Sequence, residues 1–414
     1  MLKHGSQVLG DKDYKRNYML MFLDNIMFTN AMTFLSVNAV IAYYLNTLGA
    51  STLQISLSSA LVSIGAFATQ PIFAKKAMEN QYKLGIFTKA LYIQRFVFLA
   101  YILTIPFLAE SNPSLSIILF LAFWFIFSLF TGVYSPFYMS LLSKMIPHSE
   151  QGKLLGFAGA MGNIIAIGSS YLIGTILKKV SFPYNYTIIF AIGILILLLD
   201  VVDFQLMKEM PDEITDKQMN FFEYIKDIPN ILRNNTNVLK IVIGNCFIII
   251  SNVSLGYYAL YAIRTYNAQA EQVALFTGIA VTVNILGSAA FGLMADRFGH
   301  KSVLKIASML GGIAGVIVLG IPSIYAVYIA FALSTLCLNG YNLSSGVIIV
   351  HNSPKTQVPV YISANNMITL IVSSVAMVAS GYIIDKVSFT PIFMVIGFAG
   401  FIGFIVFNII SVNR

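Results

Sequence analysis

Gly292-Leu293-Met294-Ala295-Asp296-Arg297-Phe298-Gly299-His300-Lys301 is a short polar island between two runs that are almost wholly apolar. Its pattern is G-x-x-x-D-R-x-G-x-K. The glycines suit a tight turn where larger side chains would obstruct close helix contact, and an acid beside several cations can pair across that contact or cap helix ends. This is the chemistry of a short loop that latches two helices. Any basic loop between membrane spans is the plainer reading, so the flanking chain has to decide.

Working outward, the chain has 414 residues, of which 57% are hydrophobic and 10% charged, with a mean hydropathy of +0.80. That much apolar surface does not fit inside one soluble core and belongs in a bilayer. The net charge of +8 could suggest a nucleic-acid partner. Its placement in short loops, instead of on one face or tail, fits membrane orientation and no nucleic acid. Cys246 and Cys337 lie in apolar segments without metal-ligand spacing and read as core residues. The first 17 residues are polar and charged, with no cleavable signal pattern, so the first span is expected to direct insertion.

Apolar runs of roughly 20 residues, enough to cross about 30 Å of hydrocarbon as a helix, mark the spans. Twelve fit, near 18–46, 52–74, 84–107, 115–142, 154–177, 184–207, 238–263, 271–294, 302–321, 323–349, 360–384 and 390–411. With the N-terminus inside, 20 of the 25 Lys and Arg residues fall on the inner side and four on the outer, with Arg95 inside a span. This bias predicts a multi-pass protein of a cytoplasmic (inner) membrane with both termini cytoplasmic. The loop from Lys208 to Val238 mixes charges with Phe221, Phe222 and Ile228. It reads either as a partly helical amphipathic strap or as a flexible linker. The expected division is an all-α membrane protein of two six-helix bundles, 1–207 and 238–414, joined by a cytoplasmic loop 208–237. Internal duplication supports it. Gly174-Thr175-Ile176-Leu177-Lys178-Lys179-Val180-Ser181-Phe182 recurs 207 residues later as Gly381-Tyr382-Ile383-Ile384-Asp385-Lys386-Val387-Ser388-Phe389, and Pro147 recurs as Pro354. A parallel six-plus-six repeat predicts that offset.

Gly292, Asp296, Arg297, Gly299 and Lys301 resemble the loop signature of the major facilitator superfamily, which joins two helices on the cytoplasmic side. With the span count, charge bias and duplication, the resemblance covers essentially the whole chain. It implies two bundles around a central cavity, lined chiefly by spans 1, 4, 7 and 10, that rock to open alternately to either side. It makes those five residues a cytoplasmic gate motif. The first-half counterpart, Pro71 to Lys83, keeps its basic residues but lacks the aspartate and glycines. Any gating role therefore rests on the second-half copy. Span 5 carries Gly156, Gly159, Gly162, Gly168 and Gly174, which suit close packing, but no proline of the kind found in many drug exporters of the superfamily.

An unpaired charge in hydrocarbon costs about 2.5–3.5 kcal/mol or more, so each ionisable group within a span needs a reason. Asp24 is the candidate for proton coupling; the alternative is a structural lock through Lys15 or Arg16. With Ala31 and Asn38 it forms a seven-residue stripe. Arg95, in span 3, is a buried charge expected to find a polar partner. Asp200 and Asp203 read as interfacial anchors at the end of span 6. Amides and phenols on the expected lining spans, Asn30, Asn38, Tyr134, Tyr138, Asn245, Asn252, Asn339 and Asn342, are candidates for a polar substrate cavity. Taken singly, each Asn can equally be a hydrogen-bonded tie between helices.

His4, His148, His300 and His351 show no metal or triad spacing, and no phosphate-cradling G-x-x-x-x-G-K loop is present. The sequence therefore predicts no enzyme, no metal, no cofactor and no nucleotide hydrolysis. The expected function is secondary active transport of a small-molecule substrate, proton-coupled efflux first, with the protein a monomer in the lipid bilayer. An uptake permease or facilitator for a neutral polar solute such as a sugar or nucleoside is the alternative. A membrane sensor or assembly partner that has lost transport is the alternative from another class.

Overall fold

The computed structural model describes residues 11–211, 228–233, 235–354 and 358–410. In hydrocarbon every backbone N–H and C=O must be satisfied within the span, so long apolar runs become helices. Among the described residues twelve helical segments are long and apolar enough to cross a membrane, and no strand is present. Span 1 comprises Asp11–Phe34, a π-helical turn at Val37–Ile41 and Ala42–Thr47. Spans 2 to 6 are Thr52–Glu79, Leu84–Leu108, Pro113–Met145, His148–Lys179 and Tyr184–Gln205. Span 7 comprises Thr236–Asn252 and Leu255–Tyr266. Spans 8 to 12 are Ala270–Phe298, His300–Gly320, Ile324–Asn352, Val358–Lys386 and Thr390–Ile409.

Local chemistry sets several starts. Asn112 accepts from Leu115 N at 3.1 Å, with Pro113 following at the first helical position, and Asn235 accepts from Val238 N at 3.2 Å. Gln269 and Gln272 form a capping box ahead of span 8. The first span of each half is interrupted, span 1 at residues 35–41 and span 7 at Val253–Ser254. The break in span 1 ends the predicted stripe. Asp24 and Ala31 lie in the α-helix before it and Asn38 in the π-turn after it.

Packing divides the chain into two units, Met1–Ser36 with Ile64–Gln218 and Val37–Ser63 with Met219–Arg414. In the first unit the core is aromatic. Phe98 meets Trp124, Phe127 and Phe190 at ring separations of 5.2, 5.6 and 6.0 Å, knitting spans 3, 4 and 6 together.

The second unit is held by close backbone approach. A Cβ added at Gly400 would lie 2.2 Å from Gly312 N, and one at Gly315 would lie 2.7 Å from Gly397 N, so spans 9 and 12 cross with no room for a methyl group. The glycine-rich face expected on span 5 behaves differently. A Cβ at Gly156, Gly159 or Gly168 would meet open space, whereas one at Gly162 would come 3.0 Å from Thr29 Cβ. Residues 37–63 are pinned within this unit by a polar clasp. Asp385 accepts from the backbone N–H groups of Thr52 and Leu53, both at 2.8 Å, and so satisfies the exposed start of span 2. Arg264 donates to Asn46 Oδ1, Thr52 Oγ1 and Ala50 O. Tyr257 and Ser56 share a 2.7 Å hydrogen bond.

Most of the 208–237 loop lies outside the described residues. Within it, residues 228–233 are helical, and Ile228 and Leu232 are buried against Val238 and Ile241. At its start Glu209 accepts from Lys83 N and Leu84 N at 2.7 and 2.8 Å and pairs with Lys144 at 3.0 Å, capping span 3.

Candidate functional site

Three helices of the first unit bring charge together within their membrane-spanning segments, and a fourth adds phenols. Asp24 on span 1, Arg95 on span 3 and Asp200 on span 6 are 5%, 1% and 1% exposed. Arg95 Nη2 stands 3.5 Å from Asp200 Oδ2. The Asp24 carboxyl is within hydrogen-bonding reach of the Asp200 carboxyl. From span 4, Tyr138 brings its hydroxyl beside Asp24 and Asn25.

Arg95 is aimed by its neighbour in sequence. Gln94 donates through Nε2 to Phe127 O at 2.8 Å and Thr131 Oγ1 at 3.0 Å, which fixes its amide on span 4, and its Oε1 accepts from Arg95 Nη1. The guanidinium also lies over the Tyr134 ring at 5.8 Å. Phe87, Tyr134, Tyr138 and Phe204 pack around the cluster, with Phe87 and Phe204 rings 4.6 Å apart. Low-dielectric walls make each charge interaction here stronger than it would be in water.

The arrangement changes the reading of Asp200. Predicted as an interfacial anchor, it is buried and is the ion-pair partner that Arg95 required. Sequence reasoning weighted its nearness to the end of span 6. The stronger signal was a lone buried cation in span 3 and an acid in the apolar run Leu197-Leu198-Leu199-Asp200-Val201-Val202. Gln94 was also missed, because an amide next to an arginine carries no distinctive pattern.

The candidate amides divide. Asn30 donates to Ile26 O and Gly162 O and accepts from Ser169 Oγ at 3.0 Å, tying span 1 to span 5. Asn245 donates to Asn365 Oδ1 at 2.8 Å, and Asn252 to Ile248 O and Cys337 Sγ. Asn339 donates to Ser288 Oγ at 2.9 Å and to Asn284. These four work as ties between helices. Asn38 faces the bare backbone of Gly256, where an added Cβ would come 3.5 Å from its Oδ1. A small cavity lined by Ser56, Ser59, Gly256, Tyr257 and Met377 lies there in the second unit. Asn342 is exposed on span 10. Tyr134 and Tyr138 belong to the charged cluster.

In the motif loop, Asp296 and Arg297 are exposed at the end of span 8, with Arg297 over the Phe298 ring at 5.2 Å. Gly299 has φ +80° and ψ 159°, a conformation essentially reserved for glycine, and it joins spans 8 and 9. Space around Gly292 and Gly299 is open. Gly299 is therefore required by backbone conformation and not, as expected, by close helix contact. Lys301 Nζ donates to Ile410 O just past span 12, and His300 Nδ1 lies 3.1 Å from Ser344 Oγ on span 10. The loop is thus anchored to two other helices of its unit.

No group of three His, Cys, Asp or Glu side chains suited to a metal occurs among the described residues. A search of curated proteins by sequence finds no significant match. Solved structures match in fold. A bacterial homologue of the iron transporter ferroportin in its inward-facing state aligns with a TM-score of 0.73 at 13% identity, covering 97% of this chain and 99% of that one. The nucleoside transporter NupG aligns at 0.71 and 10% identity, covering 96% and 99%. A D-xylose-proton symporter aligns at 0.70 and 14%, covering 96% and 98%. The family profile described as Major Facilitator Superfamily matches residues 23–215 and 241–412. With that profile spanning both halves and twelve membrane helices beneath it, the chain belongs to the major facilitator superfamily and is a transporter, not an enzyme.

Proposed function

We propose that this transporter moves a small organic solute by alternating access and couples the movement to protons, with Asp24 as the coupling acid and efflux as the direction. The observation that carries the reading is the burial of Asp24 beside Asp200, Arg95 and Tyr138. A carboxyl held in a nearly neutral cluster changes the charge of the site when it gains or loses a proton, and that change biases which conformation is favoured. The loop from Gly292 to Lys301 serves as the gate. The 20-to-4 excess of basic residues supports an inner-membrane orientation with both termini and this loop in the cytoplasm. The domain reading of two six-helix bundles joined by 208–237 and a monomeric state complete the proposal.

Proton-coupled uptake of a neutral polar solute is the second reading. The alignment with a D-xylose-proton symporter and a nucleoside transporter favours it. One experiment addresses coupling and direction. Reconstituted protein of known orientation is assayed for solute flux, from a panel of sugars, nucleosides and amphipathic drugs, driven by an imposed pH gradient. Asp24→Asn should abolish the response to the gradient while leaving solute exchange at equal pH. Undiminished gradient-driven flux in Asp24→Asn would remove Asp24 from coupling, and the sign of the flux decides between the two directions.

A further inference from the structure

We infer that Asp24 and Asp200 hold one proton between them, and that Arg95 fixes this number at one by balancing the second carboxylate. The inference deepens the coupling role given to Asp24 by adding a partner on span 6 and a count.

The groups facing the pair are Arg95 from span 3, Tyr134 and Tyr138 from span 4, and Asp203 from span 6. Span 5 packs on span 1 through Gly162 and Ser169, which meet Asn30. Arg95 is the single cation among these groups. Two carboxylates in direct contact repel each other and offer no hydrogen between them, and Asp200 Oδ1 is buried with no donor. A proton on Asp24 turns the repulsion into a hydrogen bond. It also brings Asp24, Asp200 and Arg95 to charge balance, with one carboxylic acid, one carboxylate and one guanidinium; Asp203 is only partly buried and stands outside this count. Asp200 keeps its charge because Arg95 lies 3.5 Å away, so the exchangeable proton resides on Asp24. Release of that proton to water leaves two carboxylates against one guanidinium, a net charge of −1. Burying such an excess is unfavourable, so release belongs to a state in which water reaches the site.

The count predicts each variant. Asp24→Asn leaves Asp200 with Arg95, balanced without a proton. Asp200→Asn lets Asp24 pair with Arg95, also without one. Arg95→Gln removes the cation and requires both carboxyls to be protonated. Infrared spectroscopy of the purified protein at one near-neutral pH reads the protonated-carboxyl band, normalised per chain, and needs no transported solute. Relative to wild type, both Asp→Asn variants should lose the same one-proton band, Arg95→Gln should gain a second, and Asp203→Asn should lose neither. Should a charge-altering variant not yield monodisperse protein, Tyr138→Phe and Asp200→Glu retain every charge and should shift the band while keeping its area. Loss of the band in Asp24→Asn alone, its persistence in both Asp→Asn variants, or its indifference to Tyr138→Phe and Asp200→Glu together would overturn the shared proton. If the band behaves as stated but pH gradients drive no flux, the pair stands and the coupling assignment falls.

Discussion

Arg95→Gln should destabilise the first unit strongly, and removal of Asp200 in the same chain should return most of the loss. Both side chains of the ion pair are 2% exposed and their charged atoms lie 3.5 Å apart. At an effective dielectric of about 20, Coulomb's law gives about 5 kcal/mol for that separation. Much of this offsets the cost of taking the two charges out of water, so the net worth of the intact pair is small. Breaking it is different, because Asp200 stays buried without compensation, and loss of one partner costs about 3–5 kcal/mol. Spread over a body of 150–250 residues, that corresponds to a Tm lower by roughly 6–20 °C. Arg95→Gln with Asp200→Asn leaves only groups that can be neutral and should recover at least half of the fall. The assay is thermal unfolding of purified protein in detergent, with the four members of the double-mutant cycle measured side by side. Proton linkage adds a sign. Folded Arg95→Gln holds two protons that its unfolded chain releases near neutral pH, so its stability falls as pH rises, by at most about 2.7 kcal/mol per pH unit, about twice the slope expected for the single shared proton of the unaltered chain. A single variant within about 1 kcal/mol of wild type, or a double variant no more stable than the single, would refute the reasoning.

Three further outcomes test the scaffold. Gly400→Ala should cost about 1–3 kcal/mol or more by forcing spans 9 and 12 apart, while Gly156→Ala in span 5 should be close to neutral, both read as Tm in detergent. Asp385→Asn removes the charge that accepts from Thr52 and Leu53 N–H; a cap of this kind is worth about 0.5–2 kcal/mol, and hydrogen exchange at those two amides should accelerate accordingly. Gly299→Ala should cost about 1–3 kcal/mol through its backbone conformation, whereas Asp296→Asn should leave stability intact and slow turnover in reconstituted vesicles without weakening solute binding.

The sequence exposed the fold through a signal that survives without any tertiary information: apolar length marked twelve spans. The candidate site was only half legible. Asp24, Arg95, Tyr134 and Tyr138 stood out because charge and phenol groups are rare or patterned within spans. Their convergence did not, since it depends on how spans 1, 3, 4 and 6 rotate about their axes, and a single chain's periodicity does not fix those rotations when nearly every residue is apolar. The same ambiguity hid Asp200. Asn30, Asn245, Asn252 and Asn339 sit on expected lining spans, and each donates to a neighbouring helix, a use that sequence position alone does not show. The π-turn at Val37–Ile41 was invisible for another reason: its sequence, Val-Asn-Ala-Val-Ile, contains no helix breaker.

The seam between spans 9 and 12 has a consequence for how this protein can diverge. Over most of a membrane helix one large apolar residue replaces another at little cost, so selection there acts on hydropathy. Where Gly315 and Gly400 bring two backbones together, selection acts on size alone, because a methyl group there would overlap the facing backbone. Substitution histories should therefore run at two speeds along the same helices: rapid exchange among Leu, Ile, Val and Phe on the outer faces, and near silence at these two positions. A helix pair locked in this way would preserve its crossing while the solute-facing residues of other spans changed identity, leaving the chain free to acquire a new substrate without re-solving how its second half packs.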